Sequence, residues 1–226
     1  RGILDNDDFQ TAVDTVNLAK LRTAWFSAYF YWQRVSQYEF GPAADVFLQN
    51  SLNNFPLDTA IVDEKIQNSD YDFTSPDAYD KGFPALDYLL YGVGKDDTEI
   101  IAKYTTATNN DNYKVYLTDV LSQMSSLTQQ VVTDWTSYRN TFVNSTGTDA
   151  NSSLSIMVNN YIMYYERYLR GGKIGLPVGA MTGVAKADIS EAFYSQDLAK
   201  GFATTALQAV KDFYKGKGYS SGTGES

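Results

Sequence analysis

Apolar residues recur along most of the chain at intervals of three and four, the spacing of an amphipathic α-helix. The first long helix is predicted over residues 8–38, with a buried stripe of Phe9, Val13, Val16, Lys20, Ala24, Ala28, Tyr31 and Val35. A second is predicted over residues 113–144, with a stripe of Leu117, Val120, Leu121, Met124, Leu127, Val131, Trp135, Tyr138 and Phe142. Two more are expected at about 152–169 and 196–214. The pattern predicts an all-α protein.

Glycine, proline and polar residues divide the rest of the chain. Gly41-Pro42 favours the start of a short helix over residues 42–55, and Asp58 is a predicted N-cap for the next helix. The polar, glycine-containing segment 93–112 indicates a boundary between two bundles.

We therefore expect two antiparallel helical bundles side by side. Residues 1–92 form the first, 93–112 a linker, and 113–226 the second. The glycine-rich stretch "GGKIGLPVGAMTG" alternates with apolar residues, which predicts a small β-hairpin or loop insertion around residues 171–183.

The stretch "GFPALDYLLYG", residues 82–92, has the punctuation of a short helix. Pro84 suits a first helical position and Gly92 suits the position just past the end. Its predicted core stripe is Leu86, Leu89 and Leu90. Asp87 shares a face with Pro84. From the pattern alone, its carboxylate either takes part in a site or only complements the helix dipole.

The composition removes several kinds of chemistry. The chain has no Cys and no His, so it offers no thiolate or imidazole ligand and no His general base. A bound metal would need oxygen ligands, which favours calcium, magnesium or ferric iron. The formal net charge of −9 argues against nucleic acid as a partner. No apolar run approaches the roughly 20 residues of a transmembrane helix.

Four motifs together carry a family resemblance. They are "WFSAYFYWQRVSQYEFGPAAD", "NNFPLDTAIVD", the stretch at residues 82–92, and "RGGKIGLPVGAMTG" with the helix that follows it. On these residues the chain resembles the imelysin family, which includes insulin-cleaving membrane proteases. The resemblance implies two helical bundles with a cleft between them. The family domain continues past the equivalent of residues 216–217, so we expect a C-terminal portion beyond this chain.

The chain departs from the family pattern at its main motif, G-x-H-x-x-E. Pro84 stands in place of the His and has no donor atom, and Asp87 stands in place of the Glu. A zinc peptidase needs about three protein ligands and an activated water. We therefore expect a protein without peptidase activity. If any catalysis remains, Asp87 is the residue that would carry it.

The resemblance also gathers other polar residues around the cleft. Its candidate metal ligands, for iron or calcium, are Glu39, Asp58, Asp63 and Asp87. Its candidate binding residues are Arg34, Tyr38, Gly82, Pro84 and Tyr88. The alternative is structural, with the aspartates at 58 and 63 as helix caps and Arg34 paired to a carboxylate. The dense aromatic runs favour core packing over sugar, haem or peptide stacking.

The function we expect is non-catalytic binding in iron or nutrient acquisition, through the cleft between the bundles. Two alternatives stay open: a divergent metallopeptidase, and a structural or protein-interaction module. The partner would be a metal ion, a small ligand or an envelope protein. The resemblance places the protein outside the cytoplasm, in the bacterial periplasm or at the outer-membrane surface, with a lipid anchor on a removed N-terminal segment.

Overall fold

The computed structural model describes residues 6–75 and 78–217. Its α-helices are α1 (Asp7–Thr11), α2 (Thr15–Val35), α3 (Pro42–Asp45), α4 (Leu48–Leu52), α5 (Thr59–Asn68), α6 (Gly82–Asp87), α7 (Asp97–Thr105), α8 (Asn110–Asn144), α9 (Ser153–Met163) and α10 (Leu198–Tyr214). Helix α6 continues as a π-helical turn over Tyr88–Gly92, and α9 continues as a π-helix over Tyr164–Gly175. A short 3₁₀ turn covers Ala187–Ile189.

The all-α class is confirmed, since the residues described contain helices and turns but no strand. The β-hairpin alternative for residues 171–183 is therefore wrong. The main-chain N–H of Leu176 donates to the carbonyl of Gly171, and that of Ala180 donates to Gly175. These bonds span five residues, so the glycine-rich stretch satisfies its backbone locally by a π-helical pattern and turns.

Helix α2 buries a different stripe from the one predicted. Leu18, Leu21, Trp25, Tyr29 and Trp32 face the core, whereas Val16, Tyr31 and Val35 of the predicted stripe are exposed. The helix is apolar on two faces, and spacing alone does not show which face meets the rest of the protein. The face with the larger aromatic rings is the one buried, because burying it removes more apolar area from water.

Two predicted helices are each divided in the structure. The helix expected over residues 8–38 breaks after α1, where the Asp14 carboxylate accepts a hydrogen bond from Asn17 N at 2.8 Å and caps α2. The helix expected over residues 42–55 breaks at Phe47, whose φ of 49° lies in the left-handed region. The predicted stripe of α8 is confirmed in its first part, where Leu117, Val120, Leu121, Met124 and Val131 are buried. Its other members, Leu127, Trp135, Tyr138 and Phe142, are half-buried.

The main hydrophobic core draws on both predicted bundles. It includes Trp25 of α2, Leu89 after α6, Leu117 of α8 and Phe202 of α10. The segment expected to be a linker contains α7, whose Tyr104 lies in this core and donates its hydroxyl to the Leu89 carbonyl oxygen at 2.8 Å. The division into two bundles stays a prediction. No helix in the described part of the chain is long and apolar enough to cross a membrane.

Candidate functional site

Gly82 allows the family motif to sit against the end of α4. Its φ is +72°, and a Cβ on this residue would overlap the carbonyl oxygen of Leu52. Only glycine meets both conditions without strain. The helix begins at Gly82 rather than at the predicted Pro84, which lies in the first turn, where a missing N–H costs nothing.

The far end of the motif also depends on a glycine. Gly92 belongs to the π-helical turn instead of following the helix, and a Cβ there would overlap the rings of Tyr194 and Tyr88. The predicted core stripe of Leu86, Leu89 and Leu90 is confirmed as fully buried. The motif is therefore packed on one side against the core and on the other against residue 194.

Asp87 holds a distant loop. Its side chain is buried, with 2% of the residue exposed, and its two oxygens accept hydrogen bonds from Tyr194 N at 2.8 Å and Ser195 N at 2.9 Å. Burial raises the pKa of Asp87 to about 6. The hydrogen bonds from Tyr194 and Ser195 oppose this rise, and the nearby Glu191 carboxylate adds to it. The carboxylate is thus engaged by the main chain and shielded from solvent.

These residues do not fit the metal that the family motif would imply. Pro84 has no donor atom, and both oxygens of Asp87 already accept main-chain N–H groups. A metal at this motif would therefore find no unoccupied donor atom on either side chain.

A buried polar cluster lies beside Asp87. Lys173 Nζ contacts both oxygens of Glu191, at 2.5 and 2.6 Å, and the two side chains are 4% and 2% exposed. Glu191 also accepts hydrogen bonds from Gln33 Nε2 at 3.1 Å and Asn53 Nδ2 at 2.8 Å. Tyr29 completes the cluster by donating its hydroxyl to Asn53 Oδ1 at 2.6 Å.

The buried Lys173–Glu191 ion pair receives hydrogen bonds from side chains on other elements of the fold. Burial lowers the pKa of Lys173, and the Glu191 carboxylate opposes this effect. Sequence reasoning missed both residues. Lys173 lies in the glycine-rich stretch for which the sequence predicts a β-hairpin or a loop, and nothing in the pattern around Glu191 distinguishes it from a surface glutamate.

The other predicted carboxylates have separate partners. Glu39 accepts hydrogen bonds from Gln49 N at the start of α4, and burial raises its pKa to about 7 against the backbone N–H groups of Gln49 and Leu48. Asp58 is the N-cap of α5, as predicted, and accepts from Ala60 N and Ile61 N.

The remaining predicted ligand, Asp63, is exposed and pairs with Tyr88. The Tyr88 hydroxyl donates to both Asp63 oxygens at 3.0 Å. Across residues 6–75 and 78–217, no three His, Cys, Asp or Glu side chains come together where they would hold a metal ion. The structure thus distributes the four candidate metal ligands over different contacts. Of the nine predicted site residues, it brings together Gly82, Pro84, Asp87 and Tyr88 in one helical segment, with Asp63 joined to that segment through Tyr88, and it brings Arg34 together with Tyr38.

Arg34 and Tyr38 line a groove on another face of α2. The groove has a volume of about 380 Å³ and runs between α2 and α10. Its lining residues are Phe30, Arg34, Val35, Gln37, Tyr38, Thr204, Thr205, Gln208, Ala209, Asp212, Phe213 and Lys217. Tyr38 and Phe213 meet edge to face across it, with ring centroids 5.7 Å apart. The groove combines aromatic walls with charged groups.

The protein is thus all-helical in the residues described. Its segment 82–92 is joined through Asp87 to the loop that contains Tyr194 and Ser195. The family model for imelysin, peptidase M75, matches residues 5–225. The chain belongs to the imelysin family. A search of curated proteins finds no match.

Proposed function

We propose that this protein is a non-catalytic binding component of iron or nutrient acquisition at the bacterial cell envelope. It takes its ligand in the groove between α2 and α10. Of the residues that the family resemblance gathers around a cleft, Arg34 and Tyr38 line this groove, and Asp87 lies outside its lining.

The burial and hydrogen bonding of Asp87 are the main support for a role without catalysis. A carboxylate that activates water must reach that water, directly or through one intervening molecule. Here the residue is 2% exposed and both oxygens accept main-chain N–H groups. With Pro84 in the place of the family His, the motif has no imidazole donor, and its Asp87 serves the fold by holding Tyr194 and Ser195.

The proposed role in binding is supported by the groove, whose lining includes both charged and aromatic side chains. Arg34 lines the groove, and a guanidinium has five N–H donors, so it can bind a carboxylate or similar anion beside a partner within the protein. Phe30, Tyr38 and Phe213 supply aromatic surface beside it. Small-molecule sites combine apolar and aromatic surface with a few charged or polar groups. The groove joins three aromatic side chains to three charged ones, among polar and small aliphatic neighbours. The ligand class that fits is an organic anion with an aromatic portion, including an anionic iron chelate.

Calorimetric titration with salicylate, alone and as its ferric complex, tests this proposal. Salicylate joins a carboxylate to an aromatic ring and chelates ferric iron. We expect binding of at least one of the two by the wild-type protein, and an affinity about tenfold lower or worse in Arg34→Gln, because the charge-assisted hydrogen bonds are lost.

The matched control is Arg139→Gln, which removes the same charge from an exposed position on α8. It should bind like the wild type. Absence of heat with both probes, or equal affinities for wild type and Arg34→Gln, would contradict the proposal.

A further inference from the structure

Residues 190–197, which we call the strap, are fixed at two points. At the first, the buried Glu191 carboxylate contacts Lys173 and accepts a hydrogen bond from Gln33. At the second, the main-chain N–H groups of Tyr194 and Ser195 donate to Asp87. Both fixing points use charged groups, whose hydrogen bonds are stronger than those between neutral groups.

The strap is held in a strained backbone conformation. Ala192, Gln196 and Asp197 have φ values of 55°, 52° and 55°, in the left-handed region that residues other than glycine rarely adopt. Conformations of this kind persist only where the surrounding contacts impose them. Loss of a fixing point should therefore let the strap relax into another conformation.

The strap leads directly into one wall of the groove. Helix α10 begins at Leu198, the residue after the strap, and its Thr205 and Gln208 line the groove. Near the start of α10, the Phe202 ring packs on Tyr29 of α2, with centroids 4.6 Å apart. The position of α10 relative to α2 is thus set next to the strap.

We propose that the strap couples Asp87 to the groove, so that Asp87 is a positioning residue for a binding surface that it does not touch. Its carboxylate holds the strap in the strained form, and the strap holds α10 at the distance from α2 that defines the groove. The role of the groove in binding rests on the proposed function. The coupling itself is a property of the protein without ligand.

Asp87→Asn breaks the fixing point with little change of volume. The carboxamide has one acceptor oxygen for two N–H donors, and its own NH₂ group faces the second donor. We expect the protection of the Tyr194 and Ser195 amides against hydrogen exchange to fall about tenfold or more. Nuclear magnetic resonance of the labelled protein measures this at single residues.

The groove is then measured by pulsed electron paramagnetic resonance. The chain has no Cys, so spin labels can be attached only at Tyr31→Cys on α2 and Leu207→Cys on α10, both exposed and outside the groove lining. In the Asp87→Asn background we expect the mean distance between the labels to shift by about 1–2 Å, or its distribution to broaden by a comparable amount.

Ser195→Ala is a milder second variant, because it removes only the hydroxyl that donates to the Ala192 carbonyl at 3.1 Å. It should change the label distance in the same direction by less, and it supplies the comparison if Asp87→Asn does not fold. Asp188→Asn, at an exposed position before the strap, is the control and should leave the distance unchanged.

An unchanged label distance in both strap variants overturns the coupling, whatever happens to the amides. Equal amide protection in Asp87→Asn and the wild type overturns the fixing point itself. Neither measurement uses a ligand. If salicylate fails to bind while the distance shifts, the proposed function fails and the coupling holds. If salicylate binds and the label distance stays constant, the coupling fails and the proposed function holds.

Discussion

The carboxylate of Asp87 accepts a hydrogen bond from the main-chain N–H of Tyr194, a residue 107 positions further along the chain. The acid that occupies the position of the family glutamate therefore holds the N-terminal motif and the C-terminal strap together. A Cβ on Gly92 would overlap the Tyr88 and Tyr194 rings, so the missing side chain leaves the space that this contact needs. The residues of the motif are explained by this junction without any catalytic step.

Gly82→Ala should destabilise the protein strongly. The new methyl group would overlap the Leu52 carbonyl oxygen, and the φ of +72° is unfavourable for alanine. Because the clash is with backbone, the two segments must separate, and we expect the free energy of unfolding to fall by about 3 kcal/mol or more. Urea unfolding followed by circular dichroism measures the change.

Gly201→Ala is the matched control for this variant. Gly201 lies inside α10, and a Cβ there would meet nothing within 4 Å. Alanine has the higher helix propensity, so this variant should be as stable as the wild type or more stable, by up to about 1 kcal/mol. A destabilisation as large as that of Gly82→Ala would contradict the account of Gly82.

The raised pKa values predict that stability falls as the pH rises. Burial raises the pKa of Asp87 from 3.8 to about 6 and that of Glu39 from 4.5 to about 7. Between the ordinary and the raised value, the folded protein keeps a proton that the unfolded chain has released. The stabilisation from these two groups is therefore full below their ordinary pKa values and lost as the pH passes through 6 to 7.

Urea midpoints measured from pH 5 to pH 8 test this dependence. We expect the midpoint to decrease over that range, and Glu39→Gln to remove the part of the decrease nearest pH 7. Glu64→Gln, at an exposed position on α5, is the control and should keep the wild-type slope. A midpoint that rises steadily with pH would show that ionisation of these carboxylates stabilises the fold, against this account.

The Lys173–Glu191 pair should be costly to break from one side. Glu191→Gln keeps an oxygen for Gln33 and Asn53 but leaves the buried ammonium without its counter-charge. We expect a loss of about 3–5 kcal/mol in the free energy of unfolding. Adding Lys173→Met should restore most of it, because the double variant has no uncompensated charge.

A double-mutant cycle by urea unfolding measures the interaction between these two positions. If Glu191→Gln changes stability by less than about 1 kcal/mol, the pair does not hold the strap in the way the structure indicates. If the double variant is as unstable as Glu191→Gln alone, the loss has another cause than the unpaired lysine.

The parts of the fold that the sequence predicted depend on neighbours along the chain. The helical period located α8 and its buried stripe, and a polar residue before an apolar run identified Asp58 as the N-cap of α5. The stripe of Leu86, Leu89 and Leu90 also followed from spacing. In each case the determining interaction lies within one or two helical turns.

The parts that the sequence did not predict depend on distant partners. The hydrogen bond between Asn53 and Glu191 spans 138 residues, so no local pattern indicates it. The prediction of the buried face of α2 was wrong, because the helix has two apolar faces and only tertiary packing determines which of them is buried. The role of Asp87 required the position of the strap, which is fixed by the same long-range contacts.

The most direct test of the central claim, that Asp87 anchors the strap and does not catalyse, is a digestion of casein at pH 7. Wild type and Asp87→Asn, each shown by circular dichroism to be folded, are incubated with casein in the presence and absence of zinc and calcium, and fragments are analysed by mass spectrometry. The account predicts no fragments beyond the protein-free control from either protein. Cleavage by the wild type that Asp87→Asn abolishes would contradict it.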